Sequence, residues 1–199
     1  MDRPTLGIVA GPNGSGRTSF YEQFLRQQVP RWISADEIGQ TLTDVAESNR
    51  DLAAARLAEE QRERLITEGV TFAFETVFSR TDHWIGFLRR AKERGYRLEL
   101  FFLCTADPVM NAARVKTRMG RGGHAVSLDK VVARYPGSIR TALEAKKIVD
   151  ELWLYGNTEW DYTPTLLCWW EDQQANYAAV SIPRWAEPFF RRPATAART

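Results

Sequence analysis

Cysteine is scarce in this sequence. Cys104 and Cys168 lie far apart inside apolar runs, without the close spacing that a metal site or redox pair needs. A disulfide framework is thereby excluded, and the two residues read as buried thiols of a reducing compartment. Histidine is equally rare: of the two, His124 has no ligand-type partners around it and so reads as a structural or phosphate-contacting residue rather than a metal ligand. No apolar stretch is long enough to cross a bilayer. The N-terminus enters a polar, glycine-rich loop within about ten residues, which leaves no signal-type apolar region. The expected location is the cytoplasm, with no membrane partner. Neither sign of charge dominates: 27 Lys and Arg face 25 Asp and Glu, a net charge of +2. A global field that would draw the protein to nucleic acid or a membrane surface is therefore missing.

The composition that remains is that of a globular domain. At 199 residues, 44% hydrophobic and 26% charged, the chain can bury one substantial core. Short apolar runs alternate with helical patterns. Thr5 to Ala10 is a buried-strand run that stops at Gly11, and 18–28 carries Phe20, Phe24 and Leu25 at helical spacing. Residues 32–35 form a second short strand delivering Asp36 and Glu37. Residues 44–68 are helix-forming, with Gly69 as the stop, and 70–74 is a third strand ending in Glu75 and Thr76. Asp82 is the expected cap of a helix through Arg94, 97–104 is the most strand-like segment, and Asp107-Pro108 opens another helix. One helix is expected over 128–135, interrupted at Pro136-Gly137 and resumed over 138–149. A strand over 152–155 and a hairpin of 165–170 with 177–182 complete the pattern. The seven tryptophans, crowded toward the C-terminal part, read as folding material.

Alternating strands and helices predict a mostly parallel sheet with helices on both faces, an α/β fold that places ligands beyond the carboxyl ends of its strands. Gly11, Asp36 and Glu75 all fall there. Gly11-Pro12-Asn13-Gly14-Ser15-Gly16-Arg17-Thr18 is a phosphate-binding loop in the required strand–loop–helix context. Its glycines let the backbone wrap phosphate oxygens, its amides and the following helix start supply positive potential, and Thr18 offers a hydroxyl to Mg²⁺. Arg17 stands where the pattern has lysine. One reading has its guanidinium reach the β and γ phosphates in lysine's place; the other is a degenerate loop that binds nucleotide without efficient turnover.

Asp36 can accept the proton of an attacking hydroxyl or help hold the metal, or it can simply cap the next helix. Glu75 can orient an acceptor or bind a water on Mg²⁺, or be an exposed strand-end charge. Between Asn111 and Arg140, Arg114, Lys116, Arg118, Arg121, Lys130, Arg134 and Arg140 face one acid, Asp129. A cation-rich segment with a glycine hinge at 120–123 suits a lid that closes over a triphosphate. Nucleic acid is a poorer partner for it, because Tyr135 is nearly its only aromatic.

GPNGSGRTSF at 11–20, SADEI at 34–38 and FAFETVFS at 72–79 together resemble the zeta-toxin family. RAKERGYRLELFFL at 90–103, RGGHAVSLDKVVARYPGS at 121–138 and LWLYGN at 152–157 extend the match in the expected order. These are P-loop kinases that include UDP-N-acetylglucosamine kinases of bacterial toxin–antitoxin systems, and the chain looks most like the short members. The resemblance implies a three-layer P-loop kinase-like fold with a core over 1–157 and a lid over about 107–140; the chain's own pattern adds a hairpin extension over 158–192, which the family shares only loosely, and a disordered tail at 193–199. It implies ATP and Mg²⁺ as cofactors, a small hydroxyl-bearing acceptor such as a nucleotide sugar, and an antitoxin protein as a possible partner. By the same resemblance Asp36 corresponds to the catalytic base, and Glu75 with Thr76 to the acceptor site. Arg121 corresponds to a phosphate-contacting arginine, with Arg134 or Arg140 as its second. The alternatives are a nucleotide-binding module that does not turn over and a kinase for another small molecule, such as an antibiotic. Gly156 departs from the aspartate that short members carry before Asn157.

Overall fold

Apolar runs that end abruptly on glycine or a polar residue become five parallel strands: β1 (Thr5–Ala10), β2 (Trp32–Ile33), β3 (Phe72–Thr76), β4 (Arg97–Cys104) and β5 (Glu151–Gly156). The computed structural model describes residues 3–120, 127–158 and 163–191. Two antiparallel strands, β6 (Thr165–Glu171) and β7 (Gln174–Ala178), complete a seven-stranded sheet of order β2-β3-β1-β4-β5-β6-β7. The helices are α1 (Arg17–Phe20), running on as a π-helical turn over Tyr21–Leu25, then α2 (Ala35–Thr41), α3 (Glu47–Glu68), α4 (Thr81–Glu93), α5 (Pro108–Met119) and α6 (Leu128–Ala145). A 3₁₀ turn follows at Glu187–Phe190. The mostly parallel α/β sheet expected from the alternation is present.

The two faces of the sheet are unequally covered. Residues of α3, α4 and α6, with Trp185 and Phe189, pack on one face around Leu6, Ile8, Phe72, Phe74, Leu98, Leu100 and Phe102. From α1 and its extension, Phe20, Tyr21 and Leu25 join the cluster on the other face with Val9, Ala73, Phe101 and Leu103, and half-buried Val29, Trp32, Trp153 and Tyr155 pack against it. Trp84, Trp170 and Trp185 are buried, as folding material should be. Arg62 is buried on α3, its guanidinium 5.2 Å from the Phe74 ring centre and 5.3 Å from that of Trp84. Burial lowers its pKa to about 10 against the pull of Glu59 and Glu63. Cys104 and Cys168 are free and buried, and burial pushes their thiols up to about 12 and about 11, so both stay protonated and unreactive.

Several sequence expectations need correction. The helix expected to break at Pro136-Gly137 runs unbroken through both as α6. Tertiary bonds on either side of the proline hold it: Tyr135 donates its hydroxyl to the Thr105 carbonyl at 2.8 Å, Ser138 donates to the Val77 carbonyl, and the Thr141 and Thr81 hydroxyls meet at 2.8 Å. Gly137 lets that turn approach Ser79 closely, where a Cβ would lie 3.0 Å from the Ser79 carbonyl oxygen. Asp82 sits in the first turn of α4 rather than at its cap, which is Arg80. The second hairpin strand is Gln174–Ala178, not 177–182, because the chain reverses in two residues at Asp172 and Gln173, with φ of 46° and 66°. Neither is a glycine, so the usual signal for such a turn was absent. The hairpin also continues the main sheet, β6 pairing along β5 from Glu151 to Gly156. The tail at 193–199 lies outside the described residues.

Pro136 is exposed and denies the Val132 carbonyl its helical partner. Pro136→Ala is expected to raise the unfolding free energy by about 1–3 kcal/mol, measured by urea titration. An unchanged or lower midpoint would show that the proline ring, not the flanking bonds, sets the path of α6.

Candidate active site

The loop between β1 and α1 takes its shape from backbone contacts that only glycine allows. Gly11 has φ 152° and abuts the Leu103 carbonyl of β4; Gly16 has φ 93° and abuts the Asn157 side chain, so a Cβ at either would collide. The Gly11 amide donates to the Thr76 carbonyl at 3.2 Å, tying the loop to β3, and the Ser15 amide donates to the Pro12 carbonyl at 3.2 Å. Asn157, at the end of β5, donates its side-chain amide to the Ser15 carbonyl at 2.8 Å. Asn13 and Ser15 are buried with an unpartnered side-chain oxygen each.

Beside this loop opens a cleft of about 540 Å³. Its walls are Gly14, Gly16, Arg17, Thr18 and Ser19 from the loop and α1; Ser34, Asp36, Glu37 and Gln40 from β2 and α2; and Arg114, Val115, Thr117 and Arg118 from α5. The cleft therefore brings the expected phosphate loop and Asp36 together. The α5 wall is cationic (Arg114, Arg118) and the α2 wall carries carboxylates (Asp36, Glu37), with Arg17 on the loop wall.

Glu75 organises the floor. It is 8% exposed, which rules out the solvent-facing alternative. Ser34 donates to its Oε1 at 2.5 Å, Thr18 donates to its Oε2 at 3.0 Å, and the Arg17 Nε lies 3.5 Å from Oε2. Three side chains from two chain segments thus converge on one carboxylate. The Arg17 Nη1 donates to the Gly11 carbonyl at 2.6 Å and the Pro12 carbonyl at 2.8 Å. One arm of its guanidinium fork braces the loop from within and is not aimed at the cleft.

Asp36 is not a helix cap. Ser34 is: its hydroxyl accepts the Glu37 amide at 3.3 Å, leaving Asp36 exposed in the first turn of α2 and facing the cleft. The sequence S-A-D-E carried that signal, a serine followed three residues later by glutamate. Beside it, Glu37 accepts from the Trp32 indole N–H at 3.1 Å. Burial pushes the Glu37 carboxyl up and the Glu75 charge adds to this, while the indole bond opposes it.

Thr76 serves the backbone in this structure: its hydroxyl accepts the Phe78 amide at 3.0 Å and its carbonyl accepts the Gly11 amide. The first half of the expected lid forms one wall of the cleft. Asp107 caps α5 by accepting the Met110 amide at 2.9 Å, and buried Arg114 donates to the Asn157 carbonyl at 2.7 Å. Neither Arg134 nor Arg140 lines the cleft, because α6 packs through Val131, Tyr135, Ser138 and Ala142. Arg134 stands exposed one turn before Ser138, near the end of β3, and Arg140 is exposed on the outward side. Arg121 and His124 lie outside the described residues. Sequence reasoning missed Ser34 and Gln40, and treated Arg114 and Arg118 only as members of a cationic run.

A zeta toxin family model matches residues 1–151. The chain belongs to the zeta toxin family. It is 29% identical over 128 residues to an uncharacterized protein of Haemophilus influenzae, a match covering 64% of this chain and 90% of the relative. Its fold is similar to that of a chain in the crystal structure of AvrRxo1-ORF1:AvrRxo1-ORF2 with sulphate ions (TM-score 0.69, 15% identity, 87% of this chain and 60% of the other). It is similar also to a chain of the PezAT chromosomal toxin–antitoxin system of Streptococcus pneumoniae (TM-score 0.58, 12% identity, 82% and 71%). The chain thus spans less than two thirds of the AvrRxo1 chain's length. At such identities the structures speak to fold, while zeta toxin membership makes the glycine loop that of a kinase-type nucleotide-binding protein.

If Glu75 is the tie between loop, β2 and α1, Glu75→Gln should lower stability by about 1–3 kcal/mol. Nucleotide affinity, read by isothermal titration, should fall with it. Retention of both would mean that the loop holds its shape without this carboxylate.

Proposed function

We propose that the protein is an ATP- and Mg²⁺-dependent kinase that transfers the γ-phosphoryl group to a hydroxyl of a small molecule, with UDP-N-acetylglucosamine as the acceptor to test first. The observation that carries this reading is the single cleft lined by both the phosphate loop and Asp36. The likeness of the fold to a structure of AvrRxo1-ORF1:-ORF2 with ATP supports it (TM-score 0.66, 14% identity).

The loop amides and Arg17 hold the triphosphate, and Asp36 accepts the proton of the acceptor hydroxyl as its oxygen bonds to the γ-phosphorus and the bond to the β-phosphate oxygen breaks. Arg118 on the cationic wall, together with Arg121 and Arg134, is assigned to neutralise the charge on the transferring group. Thr18 Oγ1 and the Glu75 carboxylate are the hard oxygen donors that suit magnesium. Among the described residues no cluster of three His, Cys, Asp or Glu could cage a metal alone, so Thr18 and Glu75 would hold the ion only together with the nucleotide's phosphates. When bound, Mg²⁺ neutralises the phosphates. Thr76 and Arg140 are assigned to the acceptor side, and an antitoxin partner belongs to this reading because the PezAT relative comes from a toxin–antitoxin system.

A second reading, nucleotide binding without efficient turnover, is favoured by one observation: the Arg17 Nη1 is engaged by the loop's own carbonyls. The experiment is incubation with ATP, Mg²⁺ and UDP-N-acetylglucosamine followed by mass spectrometry for a phosphorylated sugar nucleotide. Asp36→Asn should lower kcat by about 10²–10⁴-fold with the KM for ATP little changed, and EDTA should abolish transfer. No product from a broad set of hydroxyl acceptors, with ATP still bound, would leave the binding module as the answer.

A further inference from the structure

On the sheet face that α1 only partly covers, strand register lines up two rows of side chains. The first is aromatic. Phe101 on β4 pairs with Trp153 on β5, Trp153 with Trp169 on β6, and Trp169 with Tyr177 on β7. The Trp153 and Trp169 rings stack 4.7 Å apart at 12°, and Phe101 stacks on Trp153 at 6.2 Å and 16°. Two residues along the strands, the second row is acidic: Glu99 pairs with Glu151, and Glu151 with Glu171. Arg97 is the cation that serves all three, bonded to Glu151 and Glu171 and 3.5 Å from Glu99. Three carboxylates and one guanidinium leave a net charge of −2.

This face is unusual on two physical grounds. Parallel α/β sheets bury both faces, yet Trp153 only edges the cluster that α1 joins, Trp169 belongs to no core cluster among the described residues, and both are only half-buried. Like charges directly opposite one another across strands are destabilising. Both indole N–H groups donate to Glu151 Oε2, at 3.1 and 3.0 Å, so the rows are locked together and neither can turn aside. Burial, and then the charge of Glu151, push the Glu99 carboxyl up. A second copy of the chain stacked so that the acidic rows coincide would be repelled.

We propose that the aromatic and acidic rows form a docking surface for a cationic amphipathic helix of a partner protein. The helix would lie across the strands, its apolar stripe on Trp153, Trp169 and Tyr177 and its Lys or Arg residues over Glu99, Glu151 and Glu171. The span from β4 to β7 is about 14 Å, which a helix of about ten residues covers. The surface lies on strand faces away from the residues that line the cleft and does not depend on the kinase reading.

The test uses the full chain and a synthetic helical peptide of about 14 residues, with leucine along one stripe and arginine along its flank, beside a twin carrying glutamate for arginine. Tryptophan fluorescence and isothermal titration should show saturable one-to-one binding of the arginine peptide, weakening with salt, and none of its twin. Glu171→Lys and Tyr177→Ala, both at exposed positions, should each weaken binding by at least about fivefold while circular dichroism shows both variants folded. The proposal is overturned by absent or non-saturable binding, by equal binding of the twin, or by unaltered binding to both variants. It is equally overturned if the chain forms a dimer that excludes the peptide and Tyr177→Ala makes it monomeric.

Discussion

The Glu75 carboxylate is pulled from three sides: by the Ser34 hydroxyl at the end of β2, by the Thr18 hydroxyl at the start of α1, and by the Arg17 guanidinium. Its position in β3 is otherwise that of a core residue, in register with Val9 of β1 and preceded by buried Phe72, Ala73 and Phe74. A charge there is stable only because each of its oxygens has a donor and a guanidinium stands beside it. The loop, α1 and α2 take their relative positions from that arrangement. Arg17 extends it, since the same side chain that approaches Glu75 also holds the Gly11 and Pro12 carbonyls. A lysine ammonium could make fewer such contacts in a fixed plane, so arginine here couples loop shape to the floor of the cleft.

The topology then decides which groups can share a cleft. With order β2-β3-β1-β4-β5, the carboxyl ends of β1, β2 and β3 lie side by side, and Asp36 and Glu75 reach the loop from neighbouring strands. On the far side, β4 and β5 deliver Leu103 and Asn157, which clamp the loop's backbone. The fold also sends α3, α4 and α6 to one face, and that asymmetry leaves the row of stacked aromatics on the other.

Much of this was legible in the chain because it depends on local pattern. The run before Gly11, the glycine spacing of the loop, Pro108 after Asp107 and the apolar stretch over 97–104 each state their own structure. The failures have a common cause. Pro136 reads locally as a break, but bonds from Tyr135, Ser138 and Thr141 to distant carbonyl and hydroxyl groups carry the helix through it. The hairpin turn at Asp172 and Gln173 uses left-handed backbone without glycine, and the strand after it is exposed throughout, so it shows no alternation to read. Arg114 looked like one more cation in a lid; its burial against the Asn157 carbonyl is a tertiary fact.

The sequence by itself determined the alternation of strands and helices, the phosphate loop and the placement of Asp36 and Glu75 at strand ends. Each follows from the chemistry of a few consecutive residues. Only the tertiary structure decided that Glu75 is buried and three times engaged, that Arg17 turns one arm back on its own loop, that Arg118 shares the cleft while Arg140 does not, and that three glutamates line up beside a row of four aromatics. Those features arise between residues tens of positions apart, where strand register and helix packing, rather than local propensity, set which groups meet.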